Sequence, residues 1–118
     1  LRRYGQGRIQ MITRIVKLEV DPDRSVVFTE LFEDVCSSIR SFPGCRGLEL
    51  LQDVSSPGVF FTISRWEDLQ NLDDYRNSLL FKSTWSAVRP LFVAKPLAWS
   101  LAVEKDLNSD KSNTNTVS

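Results

Sequence analysis

The chain has 118 residues, with 15 basic and 15 acidic side chains, no histidine and 42% hydrophobic residues. A chain of this length can bury a core large enough for one domain without disulfide or metal staples. Its net charge of zero gives no electrostatic footprint for nucleic acid or an acidic membrane surface. Because histidine is absent, serine-type triads and histidine metal sites are excluded.

The first part of the chain reads as a strand followed by a helix. Over residues 11–20 apolar and polar side chains nearly alternate, as in a half-buried strand, and Arg14 lies among the apolar positions. An Asp-Pro-Asp sequence at 21–23 offers a helix start, and a Pro-Gly pair at 43–44 ends the helix. Its apolar stripe consists of Phe28, Leu31, Phe32, Val35, Ile39 and Phe42.

The middle of the chain reads as a hairpin. Residues 45–53 form the second predicted strand, the sequence VSSPG at 54–58 is typical of a turn, and residues 59–66 are β-branched and aromatic. Thr62, Ser64 and Trp66 share one parity of this third strand. We therefore expect their side chains to point to the same side of the sheet.

Two short helices and a last strand complete the pattern. Ser64 and Glu67 stand at capping-box spacing and predict the start of the first short helix, and Ser78 predicts the start of the second. The apolar positions of the two helices are Leu69, Leu72, Tyr75, Phe81, Trp85 and Val88. Pro90 closes the second helix, and residues 94–103 form the last strand. The charged residues Asp73, Asp74 and Arg76 read as a solvated helix face.

The order of the elements predicts an α+β fold, a ferredoxin-like split βαβ sandwich. Helices should cover one face of an antiparallel sheet. Because all four strands carry apolar residues on both parities, the other face needs a partner, and a homodimer is the simplest cover. We expect residues 11–105 to form the domain, residues 1–10 to be a disordered extension and residues 106–118 to be a disordered tail.

The cellular setting follows from what the sequence lacks. There is no apolar run long enough for a membrane span and no secretory signal, so the expected location is the cytoplasm, with neither membrane nor nucleic acid as a partner. Cys36 and Cys45 are isolated from each other. They are expected to be reduced and packed, because no thiol redox or zinc motif surrounds them.

Four segments carry more specific motifs: FPGC at 42–45, FTISRWE at 61–67, YRNS at 75–78 with Phe81 and Trp85, and KPLAWS at 95–100. Over residues 11–103 the chain resembles the antibiotic biosynthesis monooxygenase domains of the dimeric α+β barrel superfamily. The resemblance implies a homodimer. Members of the family include cofactor-independent oxygenases of aromatic polyphenols, quinol monooxygenases and haem-degrading enzymes, and many members have no assigned reaction.

The resemblance also implies roles for single residues. Trp66 is similar to a tryptophan that borders a cavity between sheet and helices in this family. Tyr75 lies where several relatives have His or Trp, and Trp85 lies near the iron-binding His of the haem-degrading branch. The missing His departs from that branch and weakens a haem interpretation, although a Tyr oxygen can ligate haem iron. No cofactor or metal is therefore expected.

A cofactor-free oxygenase needs an electron-rich substrate that loses a proton and passes an electron to dioxygen in a dry pocket. We assign catalytic roles to Arg14, Trp66 and Tyr75, because a guanidinium can stabilise an anion and aromatic rings can stack on a flat substrate. The expected substrate-binding residues are Thr62, Ser64, Phe81, Trp85 and Glu49. Proton removal would fall to Glu49, Tyr75 or the substrate's own acidity.

Each assignment has a structural alternative. The aromatic residues also suit an ordinary core, Arg14 suits an ion pair with Glu49, and the hydroxyls suit bonds to backbone. The leading hypothesis is a small dimeric monooxygenase that uses dioxygen on an aromatic, polyphenol or quinol-type molecule. The alternative is a non-catalytic, ligand-binding or stress-related dimer of the same fold.

Overall fold

The computed structural model describes residues 10–108, which form a four-stranded antiparallel sheet with three helices on one face. The strands are β1 (Ile12–Glu19), β2 (Cys45–Gln52), β3 (Val59–Trp66) and β4 (Leu97–Ala102), in the spatial order β2-β3-β1-β4. The helices are α1 (Ser25–Arg40), α2 (Leu69–Arg76) and α3 (Leu79–Val88). This arrangement confirms the predicted ferredoxin-like α+β fold.

The predicted N-terminal extension and C-terminal tail lie mostly outside the residues that the structure describes. They fall largely on residues 1–9 and 109–118. Residues 106–108 are exposed and belong to no helix or strand. Within 10–108, no helix has both the length and the apolar character needed to cross a membrane.

Helix α1 begins and ends at the signals that the sequence provides. The Asp21 carboxylate accepts a hydrogen bond from the backbone N–H of Asp23 at 3.0 Å and starts a 3-10 turn that leads into the helix. After the helix the chain reverses at Gly44, whose φ of 87° is in the left-handed region that favours glycine. A Cβ at this position would collide with the side chain of Asn71. The reversal therefore requires glycine for two reasons, conformation and space.

Helix α2 begins at a different cap from the predicted one. The Asp68 carboxylate caps it by accepting from the backbone N–H of Asn71 at 2.9 Å. Ser64 is still in β3, where its Oγ accepts from Nε1 of Trp66 at 2.9 Å. The predicted capping box was wrong because the buried indole N–H needs this hydroxyl as its acceptor. Ser78 caps α3 as predicted.

The strand register divides the sheet into two faces. On the face that carries the helices, Arg14 of β1 lies between Ser64 of β3 and Ser100 of β4. On the opposite face, which we call the open face, Ile15 lies between Ile63 and Trp99. Adjacent residues of one strand thus contribute a charge to one face and an apolar side chain to the other.

The core lies between the sheet and the helices in two clusters. The larger cluster consists of Leu18, Val20, Phe28, Phe60, Val88 and Leu91. The smaller one is centred on Trp66, which is fully buried, and includes Cys45 and Leu72. Burying one such side chain stabilises the fold by about 1.5–3 kcal/mol. Cys36 and Cys45 are both free thiols.

Candidate functional site

A cavity of about 270 Å³ separates the helices from the sheet. Its volume is close to the lower end of the range for small-molecule pockets, about 300–1,000 Å³, and suits a ligand of one or two rings. Most of its wall is apolar and includes Val16, Leu18, Phe28, Phe32, Val35 and Val88. The polar side chains that line it are Arg14, Thr62, Ser64, Tyr75, Arg76 and Thr84.

Arg14 is half-buried at the centre of a polar row that crosses the sheet. The row spans three strands, with Ser64 and Ser100 on either side of Arg14. Nη1 of Arg14 donates to Oγ of Ser100 at 2.8 Å, and Arg14 makes no ion pair with any residue from 10 to 108. Burial lowers the pKa of Arg14, the nearby charge of Arg76 lowers it further, and Asp73 opposes both. An arginine remains charged at neutral pH despite such a shift. The guanidinium therefore faces the cavity as a cation with donors to spare.

Glu49 does not join this site. The register pairs it with Ile63, and its side chain is exposed on the open face of the sheet. This corrects both roles considered for Glu49, the ion pair with Arg14 and substrate binding, because one step along a strand turns a side chain to the other face. Among the described residues, no Asp or Glu lines the cavity.

Trp66 lies behind the cavity wall. The indole is fully buried and does not line the cavity, although its neighbours Ser64 and Tyr75 do. Tyr75 stacks on it with ring centroids 4.9 Å apart, and Ser64 accepts its N–H. Trp66 therefore acts on the cavity by positioning these two side chains.

Three aromatic side chains of α2 and α3 form one wall of the cavity. Tyr75 and Phe81 meet edge to face with centroids 5.2 Å apart, and Phe81 and Trp85 are 5.7 Å apart. All three line the cavity. A flat ligand could stack on these rings. The hydroxyl of Thr62 and the guanidinium of Arg14 would then face it from the sheet.

Tyr75 keeps its proton at neutral pH and can donate a hydrogen bond. Burial, with a smaller contribution from the neighbouring Cys45, raises the pKa of Tyr75 to about 12. A general base works best with a pKa near the operating pH, so Tyr75 does not suit that role. Glu49 lies on the opposite face and is also unsuitable. Of the three routes considered for proton removal, only the substrate's own acidity remains.

Two cavity residues were missed in the sequence. Arg76, taken there as part of a solvated face, is exposed and also lines the cavity, which places it at the opening. Thr84 lines it from α3, and its Oγ1 is buried without a hydrogen-bond partner among the described residues. The signal for Thr84 was its spacing, because residues 81, 84, 85 and 88 occupy one stripe of a helix.

Comparison with known proteins identifies the family and the fold. Residues 11–85 match the family model described as antibiotic biosynthesis monooxygenase. A Caulobacter crescentus protein, named provisionally as an antibiotic biosynthesis monooxygenase, is similar in structure with a TM-score of 0.77 and 21% identity over 82% of this chain and 92% of that one. Rv0793 of Mycobacterium tuberculosis is similar with a TM-score of 0.75 and 20% identity over 82% and 98% of the two chains. No curated protein matches the sequence.

Proposed function

Since the chain belongs to the antibiotic biosynthesis monooxygenase family, we propose that it oxidises an aromatic, polyphenol or quinol-type molecule with dioxygen, without a bound cofactor. The observation that carries this proposal is the cavity itself. It combines an aromatic wall from Tyr75, Phe81 and Trp85 with the charged Arg14, and most of its remaining wall is apolar. A reaction that proceeds through an anion of a flat substrate needs this combination.

In the proposed reaction the substrate supplies its own electrons and proton. A ring hydroxyl ionises and releases its proton to water, and Arg14 stabilises the resulting oxyanion. The anion gives one electron to dioxygen, and the substrate radical and superoxide then combine into a peroxide anion at a ring carbon that bears a hydrogen. The peroxide takes a proton from water and becomes a hydroperoxide. Loss of water, which removes the hydrogen of that carbon and breaks the O–O bond, leaves a carbonyl group. Arg14 favours each anionic species, and the apolar wall limits the water that competes for these charges.

Oxygen uptake by the purified, metal-free protein tests this proposal. A panel of hydroquinones and anthrones should include substrates that are consumed well above the buffer rate, with one molecule of dioxygen used for each carbonyl formed. Arg14→Met should lower kcat/KM about tenfold or more, since a hydrogen bond to a charged group contributes about 1.5–3 kcal/mol. The matched control is Arg24→Met, because Arg24 is exposed and does not line the cavity. A full panel without uptake above buffer would refute the proposal.

One observation favours the alternative, a non-catalytic protein that binds a small ligand. No carboxylate lines the described cavity and Tyr75 keeps its proton, so no side chain there serves as a general base. The two functions differ in their dependence on substrate acidity. If the enzyme hypothesis holds, kcat/KM should rise with pH through the pKa of each phenolic substrate in turn, whereas a binding protein would show affinity for the same compounds without turnover.

We also propose that the protein is a homodimer joined through the open face. Leu97, Trp99 and Leu101 of β4 are 49%, 43% and 46% exposed there, and Trp99 lies beside Ile15, which pairs in turn with Ile63. A soluble monomer seldom exposes an apolar patch larger than about 300–600 Å². Pairing two open faces about a twofold axis would cover both in one contact. Sedimentation equilibrium at low micromolar concentration should give twice the chain mass.

A further inference from the structure

The charged side chains that line the cavity are all positive. Two arginines line it and no carboxylate among residues 10–108 does so, since Asp73, whose charge acts on Arg14, is not part of the lining. Neither Arg14 nor Arg76 forms an ion pair with a residue in that range. Two like charges that share a largely apolar cavity repel each other, and an anion bound between them would relieve the repulsion.

The hydroxyls of the cavity are also available as donors. Oγ of Ser64 already accepts from the indole of Trp66, so its own O–H is free to donate into the cavity. Tyr75 is protonated at neutral pH for the reason given above. Oγ1 of Thr84 is buried without a described partner, which is costly unless a ligand supplies one. The lining therefore offers cations and donors to a ligand that is rich in acceptors.

The two arginines differ in depth. Arg14 is half-buried beside Ser100, whereas Arg76 is exposed at the end of α2 and stands at the opening. Beyond this polar end the wall is made of apolar side chains such as Val16, Leu18 and Phe28. A ligand that matches both parts of the cavity has an apolar ring against this wall and an anionic group near the opening.

We propose that the substrate is an aromatic carboxylic acid whose carboxylate binds Arg76 at the opening and leaves Arg14 for the ring oxygen that ionises. The inference rests on the proposed function for the reacting oxygen, and the carboxylate site stands on the arginines alone. A carboxylate suits the planar guanidinium, which can donate two parallel hydrogen bonds to it. Arg76 thus selects the substrate, and Arg14 acts on the oxygen that reacts.

Binding of ligands that resist oxidation tests the carboxylate site apart from catalysis. Isothermal titration with 2-naphthoate and with its neutral methyl ester should show at least a tenfold preference of the unmodified protein for the acid. Arg76→Met should abolish this preference and leave the affinity for the ester within about threefold, which also shows that the variant is folded. Arg24→Met, the control outside the cavity, should keep the preference.

Two results would overturn the inference. One is equal binding of acid and ester by the unmodified protein, and the other is a loss of affinity in Arg76→Met that is the same for both ligands. Tighter binding of 2-naphthyl phosphate than of 2-naphthoate would overturn the choice of a carboxylate.

Failure of the proposed function would look different. If the protein prefers the acid but oxidises no hydroquinone, whether or not the hydroquinone carries a carboxylate, the carboxylate site is supported and the oxygenase function is refuted. If neutral hydroquinones are oxidised while acid and ester bind equally well, the oxygenase function is supported and the carboxylate site is refuted.

Discussion

Each face of the sheet includes some side chains that its surroundings do not favour. Among the apolar side chains beneath the helices lies a polar row of Arg14, Ser64 and Ser100 with one charge, whereas the open face presents the apolar Ile15, Ile63 and Trp99. Charges favour water and apolar groups favour burial. Each face therefore lacks a complement, and we infer that a small anionic ligand complements the first and a second copy of the chain complements the other.

The largest expected effect comes from placing a charge on the open face. Trp99→Asp should prevent both assembly and folding, because an obligate dimer has no stable monomer to which it can revert. Sedimentation equilibrium and circular dichroism would measure the two effects. The control is Val54→Asp, since Val54 is fully exposed in the β2–β3 turn, away from the open face. A folded monomer of Trp99→Asp would show that the open face needs no partner.

The next largest effect is a loss of stability at alkaline pH, which comes from Tyr75 on the helix-covered side. The pKa of Tyr75 is about 12 in the folded chain and about 10 in an unfolded one, so the folded state holds the proton more tightly. Its contribution is complete below pH 10 and is lost as the pH rises from about 10 to 12. The loss is about 2–3 kcal/mol.

Urea unfolding of the unmodified protein and of Tyr75→Phe across this range would isolate the contribution. The curve of Tyr75→Phe should fall less steeply between pH 10 and 12. Parallel curves for the two proteins would mean that the Tyr75 hydroxyl is better solvated than its burial indicates.

A smaller change should come from the hydrogen bond behind the cavity wall. Ser64→Ala leaves Nε1 of the fully buried Trp66 without its acceptor and should lower the free energy of unfolding by about 1–3 kcal/mol. Ser38→Ala, at an exposed position of α1, is the matched control and should change stability by less than about 0.5 kcal/mol. An equally small change in Ser64→Ala would show that water or another group replaces the serine.

The smallest expected signal concerns haem. The sequence contains no histidine, and Tyr75 keeps its proton, whereas a tyrosine ligand to haem iron acts as the phenolate. Titration with hemin should therefore give a weak absorbance change without a defined stoichiometry. A sharp, stoichiometric Soret shift that Tyr75→Phe abolishes would contradict this expectation and would assign the helix-covered face a different ligand.

Much of the fold followed from the spacing of apolar residues. The alternation placed Arg14 among the apolar positions of β1, which the structure puts on the helix-covered face, and it gave Thr62 and Ser64 a common side. Strand limits differed by a few residues, as in β4, which spans Leu97–Ala102 where residues 94–103 were expected. Such alternation is informative because parity is a local property of a strand.

The site was harder to predict because it depends on packing between elements. Leucines occupy both parities of β2, so the sequence could not decide which side Glu49 faces. The parity of a strand residue also does not show whether its side chain reaches the cavity. Trp66 does not reach it, because the ring of Tyr75 stacks on the indole. Arg76 looked like a surface charge because only the packing of α2 against the sheet brings it to the cavity.

The three tryptophans of the chain lie in three different environments, which makes the protein's own fluorescence informative. Trp66 is sealed in the core, Trp85 lines the cavity and Trp99 lies on the open face. Three variants that each keep one tryptophan would separate their emission. The emission of Trp85 should change as a ligand enters. The emission of Trp66 and that of Trp99 should shift to shorter wavelength in one transition, because an obligate dimer folds and associates together.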